Sequence, residues 1–341
     1  MNAHALRAEK DTAGSARADC PARLPDDMAM IRAAAELTRD LNAPRPALYW
    51  ADMLACVIMG YGAMAAAVLS SGWAVLPWGV MAVFALYRAG SFIHELTHIR
   101  HASVPWFRFG WNLLVGIPLL VPSFMYENVH SLHHARMRYG TAEDPEYLPL
   151  ALMSPWTVPV FVAVAALAPV ALLVRYALLA PLSAILPPLR RLVVERYSSL
   201  SINPAFRRRP PEGEFRRFWI VQETAASVWA IAFVAMAVGG VIPLRALLII
   251  LGIVSASIVI NQVRTLVAHL WENDGSVMTT TAQYLDSVNV PPPGILPALW
   301  APVGLRYHAL HHLLPGLPYH ALGEAHRRLT QALPAQSRYH D

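Results

Sequence analysis

The sequence is poor in charge, in lysine and in cysteine, and each shortage excludes something. Charged residues occupy 14% of the 341 positions, and Lys10 is the only lysine. Soluble domains carry about 25% charged residues, so the deficit argues against a water-soluble globule. Together with a mean hydropathy of +0.39 it points to an integral membrane protein. Basic charge is almost all arginine, and with abundant alanine and proline this suggests a GC-rich, bacterial coding composition. The net charge of +5 reads as the inside-positive bias of a membrane protein. No basic face interleaved with aromatics is present, so nucleic acid is not an expected partner. The two cysteines, Cys20 in a polar tail and Cys56 in an apolar run, imply no disulfide framework and cannot hold an iron–sulfur cluster. The first apolar run begins near Ala47, too late for a cleaved signal peptide.

What is present divides into a polar cytoplasmic segment over 1–46, a membrane core over 47–330 and a tail over 331–341. Within the first, Asp26 to Leu41 patterns as an amphipathic surface helix or partly ordered tail, with Met28, Ile31, Ala35 and Leu41 apolar. Residues 47–70 form an apolar run charged only at Asp52, and 73–90 form a second that ends at Arg88. Each approaches the roughly 20 residues needed to span a membrane. The uncharged turn Ser70-Ser71-Gly72 joins them, and Arg88, Arg100 and Arg108 place both ends of the hairpin in the cytoplasm. Residues 110–124 are too short to span and contain Pro118 and Pro122, which predicts a re-entrant or interfacial segment. Residues 218–238 and 243–263, parted by Gly239-Gly240, predict a second hairpin. Between the hairpins, 151–189 is apolar but interrupted by Pro155, Pro159, Pro169, Arg175, Pro181, Pro187 and Pro188, which predicts a short hairpin or an interfacial helix pair. The expected fold is all-α: two transmembrane hairpins with about four spanning helices, re-entrant or interfacial helices, and a histidine-rich cytoplasmic cap.

Eight of the 14 histidines fall into three groups. His94 and His98 lie in an HExxH sequence; His130, His133 and His134, then His308, His311 and His312, form two HxxHH sequences. Residues three and four apart are neighbours on a helix, so each group presents its imidazoles together. Each also falls just outside an apolar run on the same predicted face. Imidazole ligates first-row metals without choosing among iron, zinc, copper and nickel. Structural zinc takes four ligands and catalytic zinc three, so eight suit two ions with open positions. Glu95, Glu127, Asp144, Glu146 and Glu272 adjoin the groups and suit acceptance of a ligand's other ring N–H. His4, His320, His326 and His340 read as ordinary interfacial or packing residues. A zinc metalloprotease with Glu95 as general base leaves the other clustered histidines unexplained. A metal transporter would place ligands within the spans.

The ordered set HxxxH at 94–98, HxxHH at 130–134 and HxxHH at 308–312, with an apolar hairpin before the last, resembles the membrane fatty acid desaturase and hydroxylase superfamily over residues 47–330. The stretch from His308 to Tyr319, followed by Glu324 and His326, is similar to the C-terminal box of bacterial and acyl-lipid desaturases. The resemblance implies two iron ions, O2 as co-substrate and removal of hydrogen from an unactivated C–H bond of a lipid chain. It implies that the eight grouped histidines are iron ligands and catalytic, and it adds His269, in Val267-Ala268-His269-Leu270-Trp271, as a ninth. Some members carry, four residues earlier, an asparagine that binds iron through water; Thr265 stands there, and that role is not carried over. His101, seven residues after His94, is either a neighbour of the ligands or a substitute for one. The resemblance also implies a lipid or acyl-chain substrate in an apolar tunnel, for which Trp73, Trp78, Phe84 and Trp111 are candidates unless they are packing or membrane-interface residues. Electrons then come from a separate ferredoxin, rubredoxin or cytochrome b5-like donor. Arg190, Arg191 and Arg207 to Arg209 are a candidate docking patch, whose other reading is a topology signal and headgroup contact. The third box favours a desaturase. The first is also similar to that of sphingolipid desaturases and alkane hydroxylases, so a di-iron hydroxylase or oxygenase of a lipid, alkane or sphingolipid-like substrate is the alternative. The expected location is the bacterial inner membrane, with the boxes on the cytoplasmic face.

Overall fold

The computed structural model describes residues 24–341; His4, Lys10 and Cys20 lie outside them. Among the described residues the regular elements are helices, joined by two isolated β-bridges. In chain order the α-helices are α1 (Met28–Leu37), α2 (Pro46–Leu69), α3 (Val75–His98), α4 (Phe107–Trp111), α5 (His130–His133), α6 (Thr157–Val174), α7 (Ala180–Ile185), α8 (Pro187–Tyr197), α9 (Gly213–Val238), α10 (Leu244–Ala268), α11 (Thr280–Asp286), α12 (Pro297–Trp300), α13 (His308–Leu313) and α14 (Leu322–Ala332). Five helical runs are long and apolar enough to cross a membrane: α2, α3 with the turn before it, α6 continued through α7, α9 and α10. The architecture is thus that of an all-α integral membrane protein, with one more candidate span than the four expected.

Small residues let α2 and α3 pack along their length. Ala63 and Ala67 of α2 share one buried cluster with Ala82 and Leu86 of α3, and Gly60 faces Leu86, the close approach that membrane helices use in place of a hydrophobic driving force. Asp52, alone in its apolar run, is not bare. Arg88 grips it at 2.6 Å and the Tyr319 hydroxyl donates to it at 3.0 Å. The segment after α3 folds back as expected. Asn112 closes it, accepting from the Ser123 backbone N–H at 2.8 Å and donating to the Ser123 hydroxyl at 2.9 Å.

Residues 151–189 differ from the expectation. Thr157 to Ile185 is one helical run of 29 residues, not a broken pair. Pro159 falls in the first turn of α6, where a missing N–H costs nothing. Pro169 lies inside the helix, and a wider π-type turn over Arg175–Leu179 follows it, an adjustment that carries a helix past a disrupted hydrogen-bond ladder. The chain breaks only at Leu186, before Pro187-Pro188. The second hairpin also differs, because its arms diverge. α10 packs on α3 and α6, with Ser255 donating to the Ala166 carbonyl at 2.8 Å. α9 packs instead on the π-turn and α7, drawn there by a buried ion pair of Arg175 and Glu223 at 2.5 Å and by Trp219 stacked on Phe124. Its Glu223 also holds Arg190 at 2.7 Å.

The N-terminal helix forms as expected, capped by Asp27, which accepts from the Met30 N–H at 2.9 Å. Its buried face is set by Met30 and Ala34, not Met28 and Ala35, and it lies on α14. A Cβ at Gly60 would stand 2.6 Å from the Leu86 side chain, whereas one at Gly62 meets nothing within 4 Å. Gly60→Leu is therefore expected to cost about 1–3 kcal/mol by overpacking, lowering the thermal midpoint of the detergent-solubilised protein. Gly62→Leu leaves it in place, and equal midpoints for the two variants would contradict this packing.

Candidate metal centre

All three histidine groups and His269 converge at one end of the helices. The last turn of α3 supplies His94 and His98, α5 and the residue after it supply His130, His133 and His134, and α13 supplies His308, His311 and His312. His269 is the first residue beyond α10. It is fixed by a β-bridge to Ser287, with the Leu270 N–H donating to the Asp286 carbonyl at 2.7 Å.

The nine side chains form two clusters, one of His94, His98, His130, His134 and His311, the other of His133, His269, His308 and His312. Within each, one nitrogen per residue lies within 4.8 Å of all the others. The two HxxHH boxes are therefore shared. In each, the first and last residues, four apart, face one cluster and the middle histidine faces the other. Helix geometry explains this, since successive residues are rotated by about 100°. Positions i and i+4 nearly coincide, while i+3 is turned away from i+4. The clusters adjoin, with the rings of His134 and His312 stacked at 4.4 Å between centroids.

The inward-facing atoms are Nε2. His134 Nε2 lies 3.0 Å from that of His130 and 3.1 Å from that of His311. His308 Nε2 lies 3.0 Å from that of His269 and 3.2 Å from that of His312. A neutral imidazole has one proton to give, so the central ring of each trio can satisfy only one contact. The other is left without a hydrogen bond. Burial holds His130, His134, His269, His308, His311 and His312 well below the usual imidazole range, so protonation does not relieve the conflict. A cation does. Nitrogens about 2.1 Å from one ion are about 3.0 Å apart along an octahedral edge and about 3.4 Å along a tetrahedral one. The distances here, 3.0 to 3.2 Å, fall in the range of neighbouring nitrogens around one ion. Both ring nitrogens of His94 and Nε2 of His98 are buried with no hydrogen-bond partner among the described residues, an arrangement costing about 1–3 kcal/mol per group unless something is bound. The two clusters of imidazole nitrogens thus suit first-row metal ions.

Three of the outward Nδ1 atoms are held by acidic groups. His133 Nδ1 lies 2.9 Å from Asp144, which is pinned by the Gly140 N–H at 2.9 Å and the Glu146 N–H at 2.8 Å. Gly140 has a φ of +70°, and a Cβ there would stand 2.4 Å from the Asn273 amide nitrogen, so the turn requires glycine. Burial pulls His133 down, but the charge and hydrogen bond of Asp144 outweigh it and leave His133 above the usual value. Around His130 and His269 one construction appears twice. The Tyr126 hydroxyl donates to Glu146 at 2.7 Å, leaving its oxygen to accept from His130 Nδ1 at 2.8 Å. The Tyr139 hydroxyl donates to Asp286 at 2.7 Å and lies 2.9 Å from His269 Nδ1. Burial raises Glu146 to about 7 and Asp286 to about 6. These outer bonds fix each ring's orientation and leave Nε2 bare for a ligand role.

Of the five carboxylates singled out from sequence, Asp144 and Glu146 hold ligand-type histidines and three do not. Glu95 is turned away, accepting from the Tyr49 hydroxyl at 2.5 Å and the Tyr319 N–H at 3.2 Å. As a general base for a metalloprotease it is misplaced. Glu127 faces Arg108 at 3.2 Å and His101 at 3.7 Å, and Glu272 is exposed. His101 belongs to neither cluster. His320 and His326 are likewise outside them, bonded to the Arg45 N–H and the Tyr339 hydroxyl. Asp286, Tyr126 and Tyr139 were not foreseen. Asp286 stands 17 residues beyond His269, and no spacing rule ties it to that site. Among the tunnel candidates, Trp73 is exposed on the outside of the helices, Trp78 is partly so, and Trp111 is core, its Nε1 donating to the Ala89 carbonyl at 2.8 Å. The proposed arginine patch is dispersed: Arg190 is bound to Glu223, and Arg208 is buried against Trp219 with bonds to the carbonyls of Ser198 and Glu127.

Residues 70–341 match the family described as fatty acid desaturase. The chain is 50% identical over 320 residues to a ceramide hydroxylase of Caulobacter vibrioides, covering 94% of this chain and 91% of that protein. No solved structure matches. The outer hydrogen bonds make a direct test. Asp144→Asn is expected to weaken metal retention about 10–100-fold, read as metal per chain after dialysis against graded chelator. Glu272→Gln, which touches no clustered histidine, retains the wild-type content, and equal losses in both would show that Asp144 does not orient a ligand.

Proposed function

The chain belongs to the fatty acid desaturase family, and from that membership we propose that it is an O2-dependent di-iron hydroxylase acting on a ceramide-like membrane lipid. The observation that carries this reading is half-identity to a ceramide hydroxylase over nearly the whole of both chains. It shifts the balance from desaturation, which the third histidine box favoured, to the hydroxylase alternative. The proposed ligands are His94, His98, His130, His134 and His311 for one ion and His133, His269, His308 and His312 for the other, and the paired clusters support them.

Two bound irons would supply the activation of O2 that takes hydrogen from an unactivated C–H bond. The reaction consumes the C–H substrate, O2, two electrons and two protons and releases the alcohol and water. This chain's residues perform the remaining tasks. Asp144, Glu146 and the Tyr139–Asp286 pair keep His133, His130 and His269 in the tautomer whose Nε2 is free. Buried aromatic and aliphatic walls, Tyr139, Tyr147 and Trp271 among them, exclude bulk water from the four-histidine side. Electrons come from a separate ferredoxin, rubredoxin or cytochrome b5-like protein. Arg136, Arg191, Arg196, Arg207 and Arg209 are exposed, which supports a cytoplasmic histidine end in a bacterial inner membrane.

The purified protein is expected to hold about two irons per chain; one zinc and no iron would overturn the proposal. In a host supplied with ceramide and 18O2, labelled hydroxyceramide is expected from the wild type and none from His133→Ala. A double bond in place of the hydroxyl would restore the desaturase reading, and identical lipids from both proteins would refute the ligand assignment.

A further inference from the structure

Of the buried and half-buried arginines in the candidate spans, all but Arg264 are held by a carboxylate. Arg88 is held by Asp52, Arg175 by Glu223, and Arg245 by the carbonyls of Val68 and Ser70. Arg264, on the last turns of α10, has no acidic partner among the described residues. A terminal nitrogen makes a long 3.4 Å contact to the Asn261 side-chain oxygen, and the buried Nε has no hydrogen-bond partner among the described residues. The Tyr87 hydroxyl lies against it and donates onward to the Trp300 carbonyl at 2.7 Å. An ionisable side chain at membrane depth is costly, and where it persists it marks a ligand path.

Arg264 opens into a narrow cleft between the end of α10 and the chain over 288–305, walled by Val267, Val288, Val290, Trp300 and Leu305. Two features place this cleft beside the metal centre. His269 follows Arg264 by five residues, and Val288 follows Ser287, the β-bridge partner of His269. Its volume is about 10 Å³, about one water-sized sphere. That is room for a single carbonyl or hydroxyl oxygen.

We propose that Arg264 is the positioning residue for the lipid's polar linkage, donating from its guanidinium to one neutral oxygen, the amide carbonyl of an N-acyl lipid, and so setting which carbon of the acyl chain reaches the histidine clusters. The inference rests on the hydroxylase reading for its substrate class. A charge-assisted hydrogen bond in an apolar cleft is strong, and a site built to donate to an oxygen rejects lipids lacking it.

The test uses full-length protein in nanodiscs and an N-acyl sphingosine of one chain length. Binding to the metal-free protein and KM and kcat of the iron-loaded protein are measured for the wild type, Arg264→Met and Arg264→Gln. Arg264→Met is expected to weaken binding by about tenfold or more and to raise KM alike. Iron content stays at the wild-type level, and the hydroxyl spreads over neighbouring carbons. Arg264→Gln, which keeps N–H donors, recovers part of the affinity. Val288→Phe, which fills the cleft and leaves Arg264 in place, weakens binding by a similar factor and decides the matter if Arg264→Met does not fold. Unchanged binding in Arg264→Met or Val288→Phe overturns the proposal. So does a glutamine variant as weak as the methionine one, or tighter wild-type binding of the free fatty acid, which would mark a carboxylate site. A wild type that binds the lipid but makes no hydroxylated product refutes the functional reading alone.

Discussion

Nine imidazoles crowd their nitrogens into two buried knots, and the fold has to hold them there. Ring nitrogens face each other at 3.0–3.2 Å in a buried interior, where hydrogen bonds can satisfy only some of the contacts. The surrounding structure answers from outside. Carboxylates and tyrosine hydroxyls seize the Nδ1 atoms of His130, His133 and His269, so that these rings cannot turn away. A cation at the centre of each knot would relieve this crowding, and the clustered imidazole nitrogens suit one.

The membrane helices serve the same end. Small residues seat α2 against α3, and Asp52, Arg88 and Tyr319 tie that hairpin to the segment just beyond α13. The box at the mouth of α3 and the box on α13 are thereby fixed relative to each other before any metal arrives. Divergence of α9 from α10 has a similar effect. α10 remains with α3 and delivers His269, while α9 braces the turn over 123–125 that leads into α5. Each polar group left in the apolar layer therefore bears on where a histidine ends up.

Much of this was legible from residue spacing. The apolar runs located the helices, and the box positions located the site, because a helical repeat and a ligand pattern are both local signals. The division of each box between two clusters was implicit in the 100° step but became visible only once a second wall was in place to face. His269 was reached through resemblance alone, since one histidine after an apolar run carries no pattern. Proline density misled over 151–189, where a first-turn position and a π-type turn absorbed what looked like breaks. Glu95 misled because adjacency in sequence is a quarter-turn apart on a helix. Asp286 was invisible for the converse reason, its contact with Tyr139 spanning 147 residues.

The apportioning of ligands has a consequence for how the protein is made. Each cluster requires at least one histidine from α13, His311 for one and His308 with His312 for the other. That helix follows all five candidate spans among the described residues. A nascent chain carrying α2 to α10 already in the bilayer still lacks both complete sites. Neither cluster can therefore close until α13 has been made, and a truncated product lacking α13 is left without a complete version of either.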